Sequence, residues 1–155
     1  MLLRREFVER KLQLIAEQLG RLTEFRDVSR EELVADPIRL AAVERILERI
    51  VLRAIDVNEH LISALASGEE RTSTRLSYRE TFLRLVDYGV YSREFGDRIA
   101  PSAGLRNVLV HEYNDVDHSL VHAFIRSALE DYVTYVERVS EFLAAGARTS
   151  SAEPE

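Results

Sequence analysis

The chain has 155 residues, 46% apolar and 31% charged, with no cysteine and a formal net charge of −6. That length suits a single domain with a real core, and the missing cysteine excludes disulfides, thiolate metal sites and a cysteine nucleophile. The acidic balance excludes holding nucleic acid through the overall field, so a phosphate-binding site has to be a local patch. Lys11 is the only lysine, which leaves basic contacts to arginine and its paired donors. No apolar run approaches the roughly 18 residues that span a bilayer. The opening MLLRREFVERK mixes charge with apolar residues, unlike a signal-peptide core, so a cytoplasmic location is expected.

Along the chain, Val8, Leu12, Ile15, Leu19 and Leu22 recur at alternating spacings of four and three, the stripe of an amphipathic helix over residues 2–25. Ser29 with Glu32 forms a capping box, and Asp36 before Pro37 marks a second start. The long helix that follows, 37–66, carries Leu40, Val43, Leu47, Ile50, Ala54, Val57, Leu61 and Ala64 on one stripe. Beside that stripe Arg49, Arg53, Asp56 and His60 form a polar ridge that can border a site. For Asp56 an ion pair with Arg53 in the same helix is the simpler account, and a contribution to a site is the other. Residues 67–75 read as a loop. Ser77 with Glu80 caps a short helix that Gly89 closes, and Ser92 opens another that must kink or restart at Pro101. The last helix, 117–143, has Asp117 at its N-cap and a stripe through Val121, Ile125, Ala128, Tyr132, Val136 and Val139.

No segment alternates with period two. The expectation is therefore an all-α, up-and-down bundle of about four to five helices. A helical domain over 1–143 is followed by a small, polar, unpatterned tail, 144–155, expected to be disordered.

The chemistry concentrates in Arg106-Asn107-Val108-Leu109-Val110-His111-Glu112-Tyr113. On one helix Arg106 and Tyr113 lie two turns apart on nearly the same face, while His111 points roughly 140° away, so a single copy clamps a phosphate poorly. Two copies across a two-fold axis would bring both residue types into one cleft, and such homodimers are the commonest oligomers. An imidazole with an ordinary pKa near neutrality can take up or deliver a proton, and a guanidinium can stabilise charge gathering on a phosphate. His111 and Arg106 are the candidates for these roles. Asn107, one turn before His111, either orients the imidazole, binds a phosphate oxygen or is a surface amide. Asp56 with His60, and His118 with His122, supply too few ligands for a zinc site, so no metal or other cofactor is expected.

The arginine, four residues, histidine, one residue, tyrosine pattern resembles the signature of HepT toxins within the HEPN superfamily, with Gly104-Leu105 before it and Asn114 after it. The stretches AVERILERIVLRAIDVNEHLI and YRETFLRLVDYGVYS resemble that family's long second helix and the helix and turn before its catalytic segment. The resemblance implies a homodimeric endoribonuclease toxin with Arg106 and His111 as catalytic residues and Asp56 as an auxiliary group. It implies as partner a nucleotidyltransferase antitoxin of the MntA kind, which modifies Tyr113 with AMP. RNA is then the substrate, with no DNA and no membrane partner. The other reading is a non-catalytic helical binding subunit of a nucleotidyltransferase.

Overall fold

A computed structural model describes residues 2–66, 75–105, 109 and 118–151. Among these residues there are six α-helices and no strand: α1 (Arg5–Leu22), α2 (Arg30–Ala35), α3 (Pro37–Leu65), α4 (Tyr78–Asp87), α5 (Arg93–Ile99) and α6 (His118–Ser151). Two 3-10 turns, Thr23–Phe25 and Ala100–Gly104, complete the set. The all-α expectation holds. The helix count exceeds four to five because the Ser29 capping box opens a helix of its own, α2, before Asp36 starts α3.

Local chemistry sets the boundaries. Ser29, Ser77 and Ser92 each accept the N–H three residues on, from Glu32, Glu80 and Phe95, and Asp36 Oδ1 accepts from both Ile38 and Arg39 at 3.2 Å. These acceptors satisfy N–H groups that a helix start leaves without partners. α4 ends in a Schellman turn: Val90 N–H donates to Leu85 O and Gly89 N–H to Val86 O, both at 3.0 Å, with Gly89 at φ +77°. At Pro101 the chain restarts as the second 3-10 turn, as the missing proline N–H allows. α6 begins with the first described residue after 117, so an Asp117 cap lies outside the described residues. The helix continues to Ser151, past the expected end at 143; alanines in the Ala144-Ala145-Gly146-Ala147 run favour helix without needing burial.

Arg4 and Lys11 of the α1 region meet His60 and Asp56 of α3, so rising numbers on one helix run against falling numbers on the other. α6 runs parallel to α3, with Glu44 facing His118 and Ala54 facing Tyr135. This is the disposition of an up-and-down bundle. The expected stripes form its core: Val8, Leu12, Ile15, Leu19 and Leu22 from α1, Val43, Leu47, Ile50, Ala54, Val57 and Leu61 from α3, and Val121, Ile125, Ala128, Tyr132 and Val139 from α6 are all buried. Gly96 lets α5 sit on α4, since a Cβ there would come within 2.5 Å of Val86 Cγ2.

A polar chain crosses this core. Tyr135 Oη donates to Asn58 Oδ1 at 2.6 Å, Asn58 Nδ2 donates to Thr81 Oγ1 at 3.2 Å, and Thr81 Oγ1 donates to Tyr78 O at 2.6 Å. Asn58 and Tyr135 are wholly buried, and burial pushes the Tyr135 phenol far above its ordinary range, so it stays a donor.

The polar ridge of α3 is divided. Asp56 pairs with Lys11 Nζ at 3.0 Å; the expected pair with Arg53 does not form, because the antiparallel α1 presents an ammonium to the carboxylate. His60 accepts the backbone N–H of Arg4 on Nε2 at 2.9 Å and packs against Phe7, ring centroids 5.0 Å apart. Burial first, and the nearby Arg4 charge second, hold the His60 imidazole below its ordinary value.

Two outcomes follow. Tyr135→Phe should cost about 1–3 kcal/mol in urea denaturation, because it leaves a buried amide oxygen without its donor, whereas Tyr135→Phe with Asn58→Leu should cost less than the sum of the two single changes. Strict additivity would contradict the linked network. Because His60 binds its proton less readily when folded, its contribution is complete above its ordinary pKa of 6.5 and is lost as the pH falls from there towards the lower folded value. The thermal midpoint of the wild type should drop more than that of His60→Gln between about pH 7 and pH 5; equal drops would dismiss the contact.

Candidate active site

The chain enters the Arg106–Tyr113 run from the second 3-10 turn, and three contacts fix that entry. Ser102 Oγ and Tyr132 Oη share a buried hydrogen bond of 2.6 Å, tying the turn to α6. Leu105 is buried, and Leu109 packs against the core from inside the run. Arg98 Nε reaches Asp131 at 2.9 Å beside Tyr132. Burial raises the Asp131 carboxyl, and the Arg98 guanidinium opposes the shift. The residue before Arg106 thus stands on a braced platform.

The chain leaves this region at His118, the first described residue of α6. Glu44 of α3 faces it: burial raises the Glu44 carboxyl and the His118 charge works against that rise. His118 Nδ1 is buried without a hydrogen-bond partner among the described residues. One turn on, His122 Nε2 contacts Val28 O at 2.7 Å, which pins the start of α6 to the segment before α2.

Arg106, Asn107, His111 and Tyr113 lie outside the described residues, as does Asn114. Asp56 is described and sits at the α1–α3 seam in its pair with Lys11. Of the pairs that supply too few ligands for a zinc site, Asp56 with His60 and His118 with His122, His60 is engaged by the α1 backbone, Asp56 by Lys11 and His122 by the Val28 carbonyl. Among the described residues no group of three His, Asp or Glu side chains is placed to hold a metal ion, and no helix is long and apolar enough to cross a membrane.

Sequence reasoning missed the flanks. Ser102 and Tyr132 are thirty residues apart, and nothing in either helical pattern pairs them. Nor does the sequence reveal the surface cleft of about 400 Å³ between the first turn of α4 and the second 3-10 turn, lined by Ser77, Tyr78, Arg79, Pro101 and Gly104. The neighbouring capping box and proline were visible signals, but their juxtaposition depends on how α4 and the turn pack. An arginine and a histidine delivered between Leu105 and His118 suit a phosphodiester, the first as a fixed charge and donor fork, the second as a proton carrier.

The model of the family described as Ribonuclease HepT-like matches residues 15–139. A relative from Aphanizomenon flos-aquae, named tRNA nuclease HepT, is 37% identical over 136 residues, covering 88% of this chain and 89% of its own. A putative RNase from Archaeoglobus fulgidus is 26% identical over 141 residues, covering 91% and 96%. In fold, the chain resembles the tri-AMPylated Shewanella oneidensis HEPN toxin solved in complex with an MNT antitoxin, with a TM-score of 0.73 and 19% identity over 88% of this chain and 98% of that one. With the family model spanning most of its length and a relative this similar across nearly all of both proteins, the chain belongs to the HepT-like ribonuclease family.

Proposed function

We propose that the protein is a metal-independent endoribonuclease toxin of a toxin–antitoxin system, acting as a homodimer and silenced by AMP transfer to Tyr113. The observation that carries the reading is the complete Arg106, His111, Tyr113 set in a chain that matches the ribonuclease family from residue 15 to residue 139. The name of the Aphanizomenon relative, a tRNA nuclease, supports RNA as the substrate. The Shewanella toxin, AMPylated and bound to an MNT antitoxin, supports the nucleotidyltransferase partner and the modification.

In the proposed reaction the 2′-oxygen attacks phosphorus while one His111 takes the 2′ proton. The bond from phosphorus to the 5′-oxygen breaks, and the imidazolium of the second copy returns a proton to that oxygen. The products are a 2′,3′-cyclic phosphate and a 5′-hydroxyl. Arg106 donates to the non-bridging oxygens as charge gathers on them. Two copies are invoked because the five-residue interval, on a regular helix, would turn Arg106 and His111 roughly 140° apart. Asn107 serves as the auxiliary group that orients the imidazole. The Asp56 carboxylate is already matched by Lys11, so any effect on the site passes through the α1–α3 seam. AMP on Tyr113 adds a bulky anion beside the same residues and opposes phosphate by repulsion.

With labelled total transfer RNA in chelator, wild type should cut, His111→Ala should lose about 10²–10⁴ in kcat, and Arg106→Ala about 10²–10³. RNA left intact by the wild type, or cut equally by all three, would dispose of the reading. Incubated with ATP and a cognate nucleotidyltransferase, wild type should gain the mass of AMP and lose cleavage, while Tyr113→Phe should gain none and keep cutting. Silencing of Tyr113→Phe would place the modification elsewhere.

A further inference from the structure

Arg45, Arg49 and Arg53 stand four residues apart on α3, so each lies about 6 Å along the axis from the next and within about 40° of it around the helix. Arg10 of α1 joins them, because the Lys11–Asp56 bridge lays this part of α1 beside α3. Counter-charge is sparse. Arg45 reaches Glu48 at 3.4 Å and Arg10 reaches the neutral Gln13 at 3.3 Å, while Arg53 Nη1 is buried with no hydrogen-bond partner among the described residues. Arg49, Arg10 and Arg45 all act on Arg53 against the single carboxylate of Glu17, and burial together with this repulsion lowers the Arg53 pKa. A guanidinium held among its own kind destabilises the free protein unless an anion completes the set. The row also begins at the right level. Arg45 follows Glu44, which faces His118, where the chain leaves the signature run.

We propose that Arg10, Arg45, Arg49 and Arg53 form a phosphate-binding track for the RNA backbone, leading along the α1–α3 face from the signature region. The assignment rests on the ribonuclease reading and adds to it the path of the substrate strand. An extended strand presents phosphates at a spacing comparable with one helical turn, and guanidiniums in a row bind such a series without reading its sequence. On a chain of net charge −6 this is the local patch that binding requires.

The test is binding of total transfer RNA to full-length His111→Ala protein over a range of salt, with and without Arg49→Gln and Arg53→Gln. Each phosphate contact removed should make the slope of log K against log salt shallower by about 0.7–0.9, and the pair should weaken affinity by about tenfold or more at 0.1 M salt. In the cleavage-competent chain the pair should raise KM and leave kcat near wild type. Arg49→Lys with Arg53→Lys should keep most of the salt slope. The glutamine pair should melt at or above the wild-type temperature, because repulsion is relieved. Structural residues would instead lose stability and function together. If the half-buried pair folds poorly, Arg10→Gln with Arg45→Gln, both at exposed positions, gives the same readout. Unchanged slope and KM in an active enzyme would overturn the track while leaving the ribonuclease intact. An arginine-dependent slope in a wild-type chain that cuts nothing would do the reverse. Variants that bind RNA normally but lose an acidic protein partner would assign the face to protein and end the proposal.

Discussion

The chain of hydrogen bonds from Tyr135 through Asn58 and Thr81 to the Tyr78 carbonyl joins α6, α3 and α4 in the middle of an otherwise apolar core. Aliphatic side chains tolerate small slides and rotamer changes at modest cost. A buried amide does not, because any register that leaves its oxygen or its N–H groups unmatched costs about 1–3 kcal/mol per group. The alignment of the three helices gives each of these atoms a partner. The first turn of α4 is thereby fixed, and with it the Gly89 turn, α5 and the second 3-10 turn. Ser102 then closes the circuit on Tyr132, one turn of α6 before Tyr135. The asparagine on α3 and the Ser102–Tyr132 contact thus brace the turn that leads to Leu105 from the same side of α6.

Periodicity made much of this legible. The stripes of α1, α3 and α6 and the serine and aspartate caps are properties of one helix at a time, readable because burial and capping depend on spacing alone. What escaped were relations between helices. Asn58 lies beside the α3 stripe and looks like any polar neighbour until Tyr135 and Thr81 are set against it. Asp56 was matched with Arg53 by helical spacing, yet the antiparallel approach of α1 supplies Lys11 instead, a choice that no single-helix rule contains. The site divides likewise. Arg106, His111 and Tyr113 of the proposed site stand out through their resemblance to the HepT signature, whereas the bracing by Ser102, Asp131 and Glu44 comes from packing.

The polar ridge on α3 shows how one helix face can carry two kinds of work. Towards its C-terminal end, His60 and Asp56 are satisfied by the Arg4 N–H and by Lys11, so that end is structural. Towards its N-terminal end, Arg49 and Arg53 meet Arg10 with only Glu17 in opposition. The same antiparallel partner completes one half of the ridge and leaves the other in excess positive charge. Packing that answers the charges at one end of a seam and repeats them at the other stabilises the docking of α1 at the first end, and at the second gathers the guanidiniums on which the proposed phosphate track rests.

That local excess has its meaning against the rest of the molecule. A net charge of −6 repels a polyanion at long range, and at physiological salt that field fades over about 8–10 Å. On the proposed track RNA would be held where guanidiniums meet phosphates directly, with little gained from the remainder of the surface. In the proposed mechanism such a balance suits a toxin that must be silenced completely. With few favourable contacts and a repulsive background, each added AMP phosphate near the signature subtracts from a small total, and a modest number of charges suffices to reverse its sign. A strongly basic nuclease would keep its grip on RNA through the same modification, and blocking it would require covering a much larger surface.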